Sequence, residues 1–595
     1  MTPGEAFPPP PATEVTMKQL LAGNEAIARA ALEAGVRVAA AYPGTPSTEI
    51  LETIATYPGI FAEWAPNEKV ALEVVLGAAM AGARALAAMK HVGLNVAADP
   101  LLTASYTGTA AGLVVISADD PGMHSSQNEQ DNRHYARLAK IPMLEPADSQ
   151  ECLDFTRQAF EISERFDTPV LVRTTTRINH GKSPVTLGEP VTPPAPAFRR
   201  DLPKYVMVPA HARRRHVVVE QRALALREFS ETTPLNRIEW GDRSLGIITS
   251  GVSYQYVKEA VPQASVLKLG FTWPLPPQLI RSFAQEVKRL VVVEELDPYL
   301  EEQVAALGFT VEGKSLFPIL GELEPSQVAA ALAGRQPPPP PELPELPGRP
   351  PVLCPGCSHR ACFHVFKKLK LIAMGDIGCY TLSVLPPLAA IDSCVCMGAS
   401  VGGAHGVSKA LGPAARVIGV LGDSTFVHSG ITPLIDMVYN QGTATVVILD
   451  NGTTAMTGRQ DHPATGRTIR GEPTTRLDLE QLCRAVGVKD VQVVDPGDVP
   501  AFEAAMASAV ERQEPSVVIA RHPCLLLTRE RGQPLVVDAA ACVECGQCFQ
   551  IGCPAIGVTE GRRRPQPVIS AELCTGCRLC AYVCAKGAIG EKSRE

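Results

Sequence analysis

The sequence lacks any apolar run long enough to cross a membrane as a helix. Such a helix needs about 20 apolar residues in succession, and the best candidate, residues 70–89, is interrupted by Glu73 and Arg84. The first fifteen residues also lack the basic segment and the apolar segment of a secretory signal. These absences predict a cytoplasmic protein that makes no membrane contact.

An excess of positive charge is absent as well. The chain has 55 Lys and Arg residues against 62 Asp and Glu residues, which gives a net charge of −7. It therefore has no electrostatic footprint for nucleic acid, and the two isolated basic triplets at 213–215 and 562–564 are interpreted as solvated surface. With 45% hydrophobic and 20% charged residues, the composition is that of a folded globular protein.

The length and the pattern of the chain predict a multidomain α/β protein. Its 595 residues correspond to about four domains at ~150 residues each. Helical patterns alternate with short apolar strands, which is typical of parallel α/β layers. In the first domain the pattern predicts helices over residues 18–34 and 68–89, with Gly35 ending the first of them.

Changes in composition suggest the boundaries of seven segments. The strongest is a linker with nine prolines in sixteen residues. We divide the chain into an N-terminal arm (1–15), a first α/β domain (16–190), a linker with one helix (191–240), a second α/β domain (241–335), the Pro-rich linker (336–351), a third α/β domain (352–531) and a cysteine-rich tail (532–595).

Eight of the 17 cysteines fall within residues 542–584. In a reducing compartment this clustering indicates metal ligation rather than disulfides. The cysteines form two CxxCxxC runs, each followed by a fourth cysteine, which is the signature of a bacterial ferredoxin with two [4Fe–4S] clusters. The fourth cysteine of each run binds the other cluster in that pattern. It predicts one set of Cys542, Cys545, Cys548 and Cys584, and another of Cys574, Cys577, Cys580 and Cys553.

Two departures from the ferredoxin pattern are visible. Four residues rather than the commoner three precede Cys553, and Ala585 stands where a second proline is usual. Neither departure removes a ligand. Paired zinc ribbons are the alternative, but they use CxxC pairs, and a third cysteine in both runs disfavours them. The tail is therefore predicted to be an α+β, ferredoxin-like domain for electron transfer.

Two buried strands of the third domain end in polar residues. The first ends in Gly422-Asp423-Ser424, and the second ends about thirty residues later in Asp450-Asn451-Gly452-Thr453. Glycine lets the backbone approach phosphate, and Mg²⁺ prefers carboxylate, amide and phosphate oxygens. Ligands bind at the carboxyl ends of strands in open α/β sheets. The alternative is a pair of ordinary turns.

The pair resembles the thiamine pyrophosphate fingerprint, GDG followed after about 25 residues by NN. Ser424 stands here for the last glycine and Asp450 for the first asparagine. The resemblance implies that Asp423, Asn451 and the carbonyl of Thr453 coordinate Mg²⁺, and that Gly422 and Ser424 contact the cofactor.

Thiamine enzymes also need a carboxylate that contacts the aminopyrimidine ring. The residue that carries this carboxylate usually begins a helix of small residues. Glu68 begins such a helix and is the predicted residue, with Glu73 as the alternative. An ordinary surface glutamate is the competing interpretation, because acids in a first turn favour any helix dipole. Two polar loops, residues 42–47 and 119–129, follow buried strands, which is where sites tend to lie. The second loop contains His124, a candidate catalytic residue.

Taken together, the chain resembles the large (alpha) subunits of the thiamine-dependent 2-oxoacid:ferredoxin oxidoreductases, and among them those that act on indolepyruvate. The resemblance covers nearly the whole chain. It is carried by YPGTPST at 42–48, DDPGMHSSQNEQDNR at 119–133, CPGCSHRA at 354–361, GDSTF…DNGTTAMTG across 422–458 and the two cysteine runs. The domain order also matches: pyrimidine-binding, transketolase-C-like, pyrophosphate-binding and ferredoxin-like.

The resemblance implies a reaction, partners and further site residues. An arylpyruvate, CoA and two oxidised ferredoxins would give an aryl-acetyl-CoA, CO₂ and two reduced ferredoxins. Thr45 would contact the oxoacid, and a small (beta) subunit, two of each, would complete the enzyme. In related pyruvate:ferredoxin oxidoreductases a CxxC, a GC and a PC hold a further [4Fe–4S] cluster. Their counterparts here are Cys354, Cys357, Cys379 and Cys524. Packing or zinc ligation is the alternative for these four.

Three other functions stay open at this point. The enzyme could use another 2-oxoacid, or it could be a non-oxidative decarboxylase with an accessory ferredoxin domain. An electron carrier with vestigial thiamine domains is the non-enzymatic alternative, and the joint presence of Glu68, Asp423 and Asn451 disfavours it.

Overall fold

A computed structural model describes residues 17–336, 348, 350–412, 414–528, 531–561 and 564–591. The chain divides into two compact units, one of residues 1–63 and 68–339 and the other of residues 64–67 and 340–595. The predicted N-terminal arm and most of the predicted Pro-rich linker lie outside the described residues. The seven boundaries given above stay predictions.

A seven-stranded sheet forms the centre of the first unit. Its strands lie in the spatial order Phe271–Trp273, Met143–Leu144, Val170–Thr175, Leu113–Asp119, Ala85–Lys90, Val38–Ala41 and Phe61–Trp64. The central pairs are parallel. Leu113–Asp119 and Val170–Thr175 are buried along their whole length, as strands covered on both faces are.

One strand of this sheet comes from beyond the first predicted domain. Phe271–Trp273 pairs antiparallel with Met143–Leu144. A four-stranded sheet has the order Arg289–Val293, Asp242–Ser250, Ala264–Leu269 and Asn236–Glu239, and Lys18–Ala22 pairs with Lys182–Thr186. The helices of this unit are Gly23–Glu33, Thr48–Ile54, Glu68–Met80, His91–Val96, Ala98–Thr107, Arg133–Ala139, Ser149–Phe166, Thr176–His180, Leu202–Tyr205, Pro209–Thr232, Gly251–Ala260, Pro277–Gln285, Tyr299–Ala305 and Pro325–Leu332.

Two of the predicted helices are too long. Lys18–Ala22 is a strand, because it pairs with Lys182–Thr186, and the helix begins only at Gly23. The helix predicted over residues 68–89 ends at Met80, and Ala85–Lys90 is a central strand. Gly35 follows the first helix with a φ of 68°, which confirms its predicted role as the residue that ends the helix.

The second unit contains a five-stranded parallel sheet. Its order is Ile372–Met374, Val417–Gly422, Thr445–Asp450, Ser516–Arg521 and Asp490–Val494. The helices around it are Ser358–Lys368, Cys379–Val384, Ala399–Leu411, Asp423–Thr425, Phe426–Gly430, Ile431–Tyr439, Leu479–Ala485, Val499–Val510 and Leu525–Thr528.

The cysteine-rich tail belongs to the same unit and shares its core. It has two antiparallel ribbons, Leu535–Val537 with Ile589–Glu591 and Ile556–Thr559 with Gln566–Ile569, and two short helices, Gln547–Ile551 and Leu579–Tyr582. Its buried side chains pack in one cluster with those of the helix Ser358–Lys368. The tail is therefore a docked part of this unit.

Candidate active site

The two polar strand ends of the second unit meet at one edge of the sheet. Val417–Gly422 and Thr445–Asp450 are parallel neighbours, and Gly422 lies opposite Leu449. The residues that follow each strand are therefore adjacent. The backbone N–H of Gly452 donates to Oδ2 of Asp423 at 2.8 Å.

Asp423 is buried at this edge and is surrounded by polar groups. Its Oδ1 accepts from the backbone N–H of Ser424 at 2.9 Å, and its Oδ2 lies 3.2 Å from Nε2 of His462. Asn451 lies 3.4 Å from Nε2 of His359 through its amide nitrogen. Burial lowers the pKa of His359 to about 4, so its ring is neutral and can accept from Asn451.

The oxygen atoms gathered here suit a hard divalent cation. Asp450 lies beside Asp423, and burial together with repulsion from Asp423 raises the pKa of Asp450, although Arg521 lies 2.7 Å away. Oδ1 of Asn451 accepts from the backbone N–H of Thr453 at 3.0 Å, which turns this loop towards Asp423. A cation would relieve the repulsion between the two carboxylates, so Asp423, Asn451 and Thr453 fit the predicted Mg²⁺.

Glu68 is buried at the start of its helix in the first unit, with only 4% of its surface exposed. Its carboxylate lies against Gly93: a Cβ added there would fall 2.5 Å from Oε1. The alternative residue, Glu73, is exposed and forms an i,i+4 ion pair with Lys69. Burial and close packing thus single out Glu68 as the carboxylate held in a fixed position.

Lys90, a residue that the sequence did not indicate, connects the motifs of the first unit. It ends a central strand, and its Nζ donates to the carbonyl of Ser125 at 3.0 Å. Its methylene groups pass over Gly44, where a Cβ would lie 3.2 Å from them. Burial lowers the pKa of Lys90, while Asp120 and Glu68 raise it. The predicted helix over 68–89 concealed the strand end that carries this lysine.

The loop at 119–129 is folded around Asp120. Its Oδ2 accepts from the backbone N–H of Ser125 at 2.9 Å and from Oγ of Ser126 at 2.6 Å. The Oγ of Ser125 donates to the carbonyl of Thr45 at 3.4 Å. The structure thus brings Thr45 to the same place as Lys90 and Asp120.

His124 does not join this group. Its side chain is 53% exposed, and Nε2 lies 3.1 Å from a carboxylate oxygen of Glu322. Glu322 also pairs with Arg177 at 2.6 Å. His124 therefore holds the loop against a neighbouring segment of the same unit, and its predicted catalytic role stays a prediction.

Buried ion pairs fix both ends of this loop. At its start, Nε of Arg173 lies 2.9 Å from Oδ2 of Asp119. Beyond its end, Arg133 pairs with Asp131 at 2.5 Å and with Glu294 at 2.6 Å. Separating the two partners of such a pair would leave a buried charge unpaired, which is costly. The two ends of the loop are therefore held in place.

The eight tail cysteines line two separate cavities. One is lined by Cys542, Cys545, Cys548 and Cys584, and the other by Cys553, Cys574, Cys577 and Cys580. These are the two sets that the ferredoxin pattern predicts. Soft thiolates converging on one cavity fit an iron–sulfur cluster.

The four other cysteines of interest also lie close together. Burial, with smaller contributions from Cys354 and Cys379, raises the pKa of Cys357 to about 12. Burial raises the pKa of Cys379 to about 11, again with contributions from Cys524 and Cys354. The thiols are thus near enough to repel one another when ionised.

Comparisons with known protein families match segments of both units. The family "Pyruvate flavodoxin/ferredoxin oxidoreductase, thiamine diP-bdg" matches residues 29–232. The family "Thiamine pyrophosphate enzyme, C-terminal TPP binding domain" matches residues 376–520.

Curated relatives match along nearly the whole chain. Indolepyruvate oxidoreductase subunit IorA of Methanothermobacter thermautotrophicus is 42% identical over 96% of this chain and 97% of that protein. The IorA subunit of Pyrococcus horikoshii is 41% identical over 97% of each. A solved structure, the 2-oxoglutarate:ferredoxin oxidoreductase from Magnetococcus marinus with 2-oxoglutarate, coenzyme A and succinyl-CoA bound, is 18% identical. It covers 56% of this chain and 68% of that chain, with a TM-score of 0.47.

These relatives and the family matches identify a thiamine pyrophosphate-dependent 2-oxoacid:ferredoxin oxidoreductase. Within that class, the chain belongs to the family of indolepyruvate oxidoreductase IorA subunits. Among the described residues, none of the helices has the length and hydropathy of a membrane span.

Proposed function

We propose that this chain catalyses the oxidative decarboxylation of arylpyruvates, indolepyruvate among them, with CoA as acyl acceptor. The products are an aryl-acetyl-CoA, CO₂, one proton and two electrons, which reduce two ferredoxins. The identity of about 41–43% to IorA subunits over nearly the full length carries this proposal. The aromatic side chain of such a substrate can contribute several kcal/mol of binding free energy when its apolar surface is buried.

Thiamine pyrophosphate supplies a nucleophilic carbon and an electron sink for the loss of CO₂. The chain's part is to bind and orient it. Asp423, Asn451 and the Thr453 carbonyl would hold Mg²⁺, and Gly422 and Ser424 would contact the cofactor. Glu68 would accept a hydrogen bond from the aminopyrimidine ring, and Thr45 would contact the oxoacid.

We propose that the electrons leave through iron–sulfur clusters. Each tail cavity would hold one [4Fe–4S] cluster on its four cysteines. A third cluster on Cys354, Cys357, Cys379 and Cys524 is supported by their proximity and by the docking of the tail on the same core. It would receive electrons nearest the thiamine domain.

The test for this third cluster should keep the chain intact. Deleting the tail would expose the apolar surface that Leu535, Ile551 and Leu579 cover, so a truncated protein would lose more than its clusters. In the full chain, three clusters correspond to about twelve iron atoms. Cys354→Ser with Cys357→Ser should reduce the iron content to about eight. Unchanged iron in that variant would assign the four cysteines to packing or zinc ligation.

The partners follow from the same family. The relatives are subunits, and we propose that this chain pairs with a small (beta) subunit, two of each, and delivers electrons to ferredoxin.

The decisive experiment is dye reduction by the complex with its small subunit. Arylpyruvates should reduce the dye only when CoA is present and should have a higher kcat/KM than pyruvate or 2-oxoglutarate. Faster turnover of either aliphatic acid would overturn the proposed substrate class. Release of CO₂ with an aldehyde and no dye reduction would instead indicate a non-oxidative decarboxylase.

A further inference from the structure

We propose that Arg360 is a positioning residue for the cluster of Cys553, Cys574, Cys577 and Cys580, and that its buried charge and free Nε–H raise the reduction potential of that cluster. The inference rests on the proposed iron–sulfur ligation. Arg360 lies on the helix Ser358–Lys368, outside both ferredoxin runs.

The guanidinium of Arg360 is buried, and no carboxylate in the described part of the chain pairs with it. Only 2% of the residue is exposed. One terminal nitrogen donates to the carbonyls of Ile551 and Gly552 at 2.7 and 2.6 Å, and the other to those of Leu353 and Cys354 at 2.5 and 3.2 Å. Among the described residues its partners are all backbone carbonyls. A buried charge needs an opposite charge to offset its loss of hydration.

A cluster bound in the cavity of the four cysteines would supply that opposite charge. Arg360 lines it together with the four cysteines, and its carbonyl partners at 551 and 552 directly precede Cys553. Its Nε is also buried and has no hydrogen-bond partner in the described part of the chain. An unpaired N–H beside a cluster cavity is a donor available to cluster or cysteine sulfur.

The buried charge of Arg360 and its Nε–H would both stabilise the reduced form of the cluster. Reduction adds one negative charge to a cluster, and a nearby buried cation stabilises the reduced form more than the oxidised form. Hydrogen bonds to sulfur have the same effect, and both are known controls of cluster potential. Arg360 does not line the cavity of Cys542, Cys545, Cys548 and Cys584. That second cluster is an internal reference within the same molecule.

The experiment is a redox titration of the full complex, followed by EPR, on wild type, Arg360→Gln and Arg360→Lys. Arg360→Gln should shift the midpoint potential of the Cys553 cluster, identified as the signal that disappears in Cys577→Ser, to more negative values and leave the Cys542 cluster unmoved. Because Arg360 also donates to the carbonyl of Cys354, a third cluster, identified by its loss in Cys354→Ser with Cys357→Ser, should shift in the same direction. Arg360→Lys keeps the charge but loses the Nε–H, so its shift should be smaller. Arg222→Gln is the matched control, since Arg222 is a buried arginine of the first unit that donates to the carbonyls of Ser105 and Asp167. It should shift neither potential.

Each outcome decides one question. Two clusters correspond to about eight iron atoms. If the wild-type complex contains less iron than that, the proposed cluster ligation is wrong, and the result does not bear on the role of Arg360. If Arg360→Gln retains its iron and both potentials, the role is overturned. If both variants lose iron, the potentials of the two tail clusters are compared in the wild-type complex. The cluster whose signal disappears in Cys577→Ser should then have the higher midpoint potential of the two. A lower midpoint potential for that cluster would overturn the proposal.

Discussion

The carboxylate of Glu68 occupies the space that a side chain at position 93 would need. A Cβ built on Gly93 falls 2.5 Å from Oε1 and 2.7 Å from Cγ of Glu68. Gly93→Ala should therefore displace the carboxylate without removing it. Because a misplacement of about 1 Å can cost 10²-fold in rate, we expect proton exchange at the thiamine C2 and turnover to fall by about that factor.

Gly77→Ala is the matched control for this prediction. Gly77 lies on the same helix as Glu68, and a Cβ there meets no atom within 4 Å. Alanine should leave turnover unchanged and stabilise the helix by up to about 1 kcal/mol. Equal losses of exchange in the two variants would show that the contact between positions 68 and 93 is not responsible.

Glu68 and Asp423 should act at different steps. Asp423→Ala removes a predicted Mg²⁺ ligand, so it should abolish Mg²⁺-dependent binding of thiamine pyrophosphate in a titration. Glu68→Gln should leave that binding largely intact and slow C2 proton exchange by about 10²–10⁴-fold, as loss of other acid–base groups does. Normal exchange in Glu68→Gln would transfer the role to Glu73 or another residue.

The sequence predicted site residues that belong to local motifs with a fixed spacing. It did not predict those whose position depends on contacts between distant parts of the chain. The cysteine sets of the tail follow from CxxC spacing, and the two cavities group them in the same way. Lys90 was missed because the small residues of 68–89 read as one helix, whereas residues 85–90 pair with two parallel strands. Lys18–Ala22 was assigned to a helix because its partner strand lies some 160 residues away.

Lys90 should matter for the position of the two polar loops. Lys90→Met removes the hydrogen bond to the Ser125 carbonyl, and a hydrogen bond to a charged group contributes about 1.5–3 kcal/mol. We therefore expect a loss of about 10–100-fold in kcat/KM, which Lys90→Arg should partly restore. The control is Lys69→Met, because Lys69 is half-exposed and forms its ion pair with Glu73 along its own helix. A normal kcat/KM in Lys90→Met would contradict this role.

Glu295 should make the first unit less stable as the pH rises. Burial raises its pKa from 4.5 to about 7, although Oε1 accepts from the backbone N–H of Leu323 at 3.0 Å. Between these two values the folded state binds more protons than the unfolded state, so the free energy of unfolding falls with increasing pH. Glu295→Gln keeps the acceptor but cannot ionise. Relative to wild type, its free energy of unfolding should rise by about 2–3 kcal/mol from pH 5 to pH 8, measured by urea unfolding at each pH.

Glu312→Gln is the control, because Glu312 is exposed and paired with Arg289, which lowers its pKa. If Glu295→Gln and wild type lose stability in parallel between pH 5 and pH 8, the buried carboxyl group is not the source of the pH dependence.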